Sequence, residues 1–93
     1  MYMLDDKSAP QVRIALAMKI LDEVVPRMFG ARGASIVDRL AIARTWYYML
    51  KHISSKYIPD ISKNPDEWTE EDICKIAEKL VLFARDLLGK SIY

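Results

Sequence analysis

Apolar side chains recur at three- and four-residue spacings through three stretches of the chain, and no stretch alternates with a period of two. That pattern predicts three helices and no strand. The first helix is expected over residues 9–29, where apolar positions from Val12 to Phe29 sweep roughly 200° of the helical wheel, wider than the stripe of a surface helix. It is therefore expected to be the central helix, or to be covered on two sides. Ser8, with Pro10 in the first turn and Gln11 three positions on, reads as its capping box, preceded by a short arm over residues 1–7. The apolar ends, Met1–Leu4 and Ile92–Tyr93, are expected to dock on the core or on a neighbouring subunit. Pro26 falls on the polar side and should kink the helix or end it early. Gly30 is placed for a left-handed C-terminal cap, and the turn of residues 30–34 makes the first two helices an antiparallel hairpin.

The second helix is expected over residues 35–57, capped by Ser35 with Asp38 at its third position. One face carries Ile36, Leu40, Ala43, Trp46, Tyr47, Leu50, Ile53 and Tyr57. The other carries Val37, Ala41, Arg44, Tyr48, Lys51, His52 and Ser55, with Thr45 and Lys56 beside them. The next loop holds Pro59 and an Asn64-Pro65 turn signal, and Trp68 is expected to anchor it. A third helix over residues 69–88 begins at a Thr69 cap followed by Glu70, Glu71 and Asp72, acids that suit the positive end of a helix. Its core stripe is Ile73, Ile76, Ala77, Leu80, Phe83, Ala84 and Leu87. Leu82 faces away, and Gly89 is expected to stop the helix. The expected fold is one all-α domain over residues 1–93, a compact bundle of three main helices with an N-terminal helical hairpin.

Composition sharpens this picture in three ways. At 93 residues and 52% hydrophobic content, the core is thin and part of the apolar surplus is available to neighbouring subunits. The net charge of +1 hides an uneven layout: residues 11–57 hold eight basic and three acidic side chains, whereas residues 60–72 set Lys63 against six acids. The acidic block reads as a helix start and polar loop, or as a surface for the basic face of a neighbouring copy. Finally, Cys74 is the single cysteine, the first residues are acidic rather than basic, and apolar runs stop at five residues. No disulfide framework, secretory leader or membrane span is expected, so a cytoplasmic or virion-interior location is.

Candidate chemistry concentrates on the wet face of the second helix. Arg44, Tyr48, Lys51, His52 and Lys56 stand along one side with no acid among them, and the one acid of the segment, Asp38, lies in its first turn. A line of cations suits phosphates, and a tyrosine can stack on a base or sugar. Arg32 lies in the turn, beside N–H groups at the start of the second helix that are free to hold a phosphate unless the turn is a plain hairpin. Arg13, Lys19 and Arg27 fall on different sides of an ideal wheel and make no stripe; Arg13 and Arg39 are expected to pair with acids or reach past the core edge. One histidine and one cysteine give no metal-ligand spacing, so neither metal nor cofactor is expected. Arg44 and His52 are the nearest pair to that of the HEPN ribonucleases. Seven residues intervene here and Thr45 follows the arginine, which departs from that pattern.

The segment MFGARGASIVDRLAIARTWYYML, residues 28–50, with Arg32 and Gly33 in its turn and then Leu40, Arg44 and the Tyr47-Tyr48 pair, resembles the helical hairpin in the small subunits of CRISPR effector (Cascade-type) complexes. The resemblance implies several copies stacked along a guide–target duplex, steadying target or displaced DNA through Arg32, Arg44, Lys51 and Lys56. The expected function is thus a non-catalytic, sequence-independent nucleic-acid-backbone-binding subunit of a larger assembly. A virion nucleocapsid protein coating DNA and a helical protein–protein adaptor are the alternatives.

Overall fold

In the computed structural model, residues 10–53 and 55–92 are described, excluding the side chains at 55 and 90–92. The expected N-terminal arm, the Ser8 cap and the docking of both chain ends lie outside the described residues. All regular structure among the described residues is helical. The first rod, residues 10–28, is built of α1 (Pro10–Lys19), a π-helical turn (Ile20–Val24) and α2 (Val25–Met28). After the hairpin turn come α3 (Ile36–Ile53) and α4 (Glu70–Ile92).

Pro26 neither ends the rod nor simply kinks it. Proline has no N–H to donate and its ring crowds the carbonyl four residues back. The backbone answers by widening the turn just before it, so that Val25 N–H reaches the carbonyl of Ile20. The rod then tightens, with Phe29 N–H on Pro26 O and Gly30 N–H on Arg27 O. Gly30 takes the left-handed conformation (φ 95°), as its position predicts. Ser35 and Asp38 form a reciprocal capping box at the start of α3, Ser35 Oγ accepting from Asp38 N–H and Asp38 Oδ2 from Ser35 N–H.

The central helix is α4, which corrects the expectation for the first rod. It packs against α1, the π turn, α2 and α3. Its whole predicted stripe, Ile73 through Leu87, is buried. The first rod contributes Ala17, Ile20, Val24 and Met28, and α3 contributes Ala43 and Leu50. The slab measures 38 × 29 × 17 Å. At about 8–10 Å between packed helix axes, its thin dimension leaves room for only two helix layers. Part of the first rod's wide apolar arc is therefore left uncovered, and Val12, Ile14 and Met18 are exposed. Ile36, assigned to the core face of α3, is exposed as well.

Two further ends differ from expectation. The second helix stops at Ile53 and its last residues form a 3₁₀ turn, Ser55–Tyr57. α4 runs through Gly89 to Ile92, because that glycine keeps helical backbone rather than turning left-handed. Arg39 ties three elements together: its Nε donates to Met28 O at 2.8 Å, and its Nη1 pairs with Glu70 at 2.6 Å. Trp68 is buried with its ring edge-to-face on Tyr47 at 5.1 Å, anchoring the loop.

Candidate nucleic-acid interface

Burial of Ala43 and Leu50 fixes which way α3 is turned. At about 100° per residue, that orientation puts Arg44, Lys51 and Tyr48 along one edge of the open face, His52 near its middle and Lys56 beyond it. Tyr48 is 48% exposed. It is held in place by an aromatic ladder, Tyr48 edge-to-face on Tyr47 at 5.6 Å and Tyr47 on buried Trp68. Lys51 Nζ lies 5.5 Å from the Tyr47 ring centre and 5.9 Å from that of Tyr48, so a cation sits over the ladder. Neither His52 nor Lys51 is buried.

The other cations of this face already have carboxylate partners. Arg44 Nη1 is 3.5 Å from Asp66, and Lys56 Nζ is 3.6 Å from Asp86. Asp86 also accepts a hydrogen bond from the Tyr57 hydroxyl. Burial of Tyr57, then its bond and proximity to the Asp86 carboxylate, push its phenol up to about 12. Much of the acidic stretch is thus consumed inside the chain. Asp66 meets Arg44, Glu70 meets Arg39, and Asp72 is buried at the start of α4.

Asp72 and Thr69 reverse the expected cap. Instead of the threonine hydroxyl accepting from the helix, Asp72 Oδ2 accepts from Thr69 N–H at 2.8 Å, from Thr69 Oγ1 at 3.2 Å and from Lys63 Nζ at 3.2 Å. The Thr69 N–H bond, assisted by Lys63, holds this carboxyl below its ordinary value against the opposing effect of burial.

Arg32 does not join the α3 edge. It adopts a left-handed conformation (φ 63°, ψ 27°) in the 3₁₀ turn Ala31–Gly33. There it lines an open cleft of about 170 Å³ with Lys19, Glu23 and Arg27 from the first rod. Val24, Ile42 and Trp46 supply the apolar part of the lining. The expectation that Lys19 and Arg27 diverge is therefore corrected. On an ideal helix they stand about 80° apart, but the extra residue of the π turn rotates the residues beyond it back by about 100°. At the start of α3 the Ser35 and Asp38 N–H groups are already satisfied by the capping box, and the Asp38 carboxylate places a negative charge beside that end.

Comparison of the chain with protein-family models, with curated proteins and with solved structures returned no match. The class defined by the structure is an all-α bundle. Among its described residues no helix is long and apolar enough to cross a membrane.

Proposed function

We propose that the protein is a non-catalytic, sequence-independent nucleic-acid-binding subunit, and that the Arg44–Tyr48–Lys51 edge of α3, extended by His52 and Lys56, meets the sugar–phosphate backbone. The observation that carries this reading is the exposed Tyr48 ring, braced by Tyr47 and Trp68 and flanked by two cations. A braced ring loses little freedom on binding, and stacking on it is tolerant of sequence. The Arg44–Asp66 pair does not block the surface. Asp66 is exposed, and an exposed pair is worth about 0–1 kcal/mol, so a phosphate can replace the carboxylate at small cost. The role fits a small subunit of a CRISPR effector complex, several copies of which would lie along one nucleic acid in the cytoplasm. A nucleocapsid protein would use the same chemistry but would form a regular filament of this chain alone.

Fluorescence anisotropy of labelled single-stranded and duplex DNA across a salt series tests the reading. Contact with four phosphates gives a log–log slope of about −3.6 on duplex and about −2.8 on single strands. A slope near zero would remove the electrostatic interface. The adaptor reading has its own support in Phe29, Ile36 and Val37, which flank the hairpin turn and are 53%, 46% and 68% exposed. It predicts no retention of any nucleic acid at low salt.

A further inference from the structure

The cleft at Arg32 lies on the opposite side of α3 from Lys51, and its lining is unlike the α3 edge in one respect. Arg39, Arg44, Lys56 and Lys63 all have carboxylate partners. Among the described residues, Lys19, Glu23, Arg27 and Arg32 form no ion pair, with one another or with anything else. Three exposed cations and one carboxylate thus share a cleft with Val24, Ile42 and Trp46 and are free to meet a ligand.

Two uncommon backbone features create this convergence. The π turn brings Arg27 into line with Lys19 and Glu23. The left-handed backbone of Arg32, disfavoured for any residue with a Cβ, delivers the third cation from a turn where the flanking Gly33 is also at positive φ.

The lining also constrains what fits. A bare phosphate uses the cations but is repelled by Glu23. An uncharged ring uses Trp46, Ile42 and Val24 but leaves the cations idle. A ligand with an anion at one end, a flat ring, and N–H or O–H donors for a carboxylate engages every group. At about 170 Å³ the open cleft is smaller than the usual 300–1,000 Å³ of ligand sites, so it seats part of one such unit and leaves the rest at the surface. We propose that it binds a single nucleoside 5′-phosphate, free or as one unit of a strand. Arg27, Arg32 and Lys19 hold the phosphate, the base lies on Trp46, and Glu23 accepts from a base amino group or a ribose hydroxyl.

Trp46 reports on this directly, because the chain has two tryptophans and Trp68→Phe leaves it alone. In that variant, adenosine 5′-monophosphate should quench the fluorescence saturably, about tenfold or more tighter than adenosine or inorganic phosphate. A 5′-phosphorylated oligoadenylate separates the two sources: tighter binding than the mononucleotide marks a strand, equal or weaker binding a free nucleotide. Arg32→Gly should cost about tenfold or more in affinity while the melting temperature holds or rises, since glycine adopts that backbone freely. Calorimetric titration of the tryptophan-intact chain gives the same comparison without the Trp68 substitution. Absence of saturable binding at millimolar nucleotide, phosphate binding as tightly as the mononucleotide, or unchanged affinity in Arg32→Gly would each overturn the proposal. Arg32→Gly alters the cleft and leaves Arg44, Tyr48 and Lys51 unchanged, so its effect on mononucleotide affinity and the salt dependence of DNA binding let the two sites fail separately.

Discussion

Replacing Asp72 by alanine should be among the most damaging single changes in this fold. The side chain is 2% exposed, and one of its oxygens accepts from Thr69 N–H, Thr69 Oγ1 and Lys63 Nζ. Loss of a helix cap costs about 1 kcal/mol, and charge-assisted hydrogen bonds contribute about 1.5–3 kcal/mol. Lys63 regains water when its partner goes, because its side chain is half exposed, so the ion pair itself adds less than about 1 kcal/mol. These contributions overlap, and the sum is roughly 2–4 kcal/mol. For a domain of this size, that lowers the melting temperature by roughly 10–25 °C. The pH dependence is a second signature. A carboxyl held below its unfolded value of 3.8 contributes stability that is present above that value and is lost as pH falls through the folded value. The gap between wild type and Asp72→Ala, read by urea unfolding followed by circular dichroism, should therefore narrow below about pH 4. A gap under about 0.5 kcal/mol at pH 7, or one that stays constant into acid, would refute the reasoning.

Other perturbations probe single features. Gly89 sits inside α4 with open space where a Cβ would go, so Gly89→Ala should stabilise by about 0.5–1 kcal/mol in the same unfolding assay. Tyr57, with its phenol raised from 10.0 to about 12, contributes stability that is intact below pH 10 and lost as pH climbs towards 12. Tyr57→Phe should flatten that alkaline limb in thermal melts. Trp68 Nε1 is buried without a hydrogen-bond partner among the described residues, so Trp68→Phe should cost under about 1.5 kcal/mol, less than a typical large-to-small core change. Asp66→Asn frees Arg44 and should tighten DNA binding by about two- to fivefold in anisotropy titrations.

Much of the fold was legible because it depends on local chemistry. The α4 stripe, the Ser35–Asp38 box, the left-handed Gly30 and the Trp68 anchor each rest on a spacing or a residue type, and each stands where the pattern put it. Other features depend on what the rest of the chain does. A wheel drawn at a uniform 100° cannot anticipate the π turn, so it scattered Lys19 and Arg27 and hid the cleft they share with Arg32. The apolar breadth of the first rod suggested a central helix. In a two-layer slab that breadth is left partly exposed instead, and α4 takes the centre. Gly89 looked like a stop, yet it keeps helical backbone inside α4. The basic face was visible as a pattern of residues, but its carboxylate partners arrive from the 65–67 turn and from α4, elements remote in sequence.

The most direct test of the nucleic-acid interface is the charge reversal Arg44→Glu with Lys51→Glu, measured by anisotropy on single-stranded and duplex DNA at low salt beside a thermal melt. Both side chains lie at the surface, so unfolding should stay cooperative with a melting temperature within a few degrees of wild type. Binding should fall by about a hundredfold or more, as two phosphate contacts are lost and two repulsions gained. Wild-type affinity in a variant that remains folded would contradict the assignment of this edge of α3 to nucleic acid.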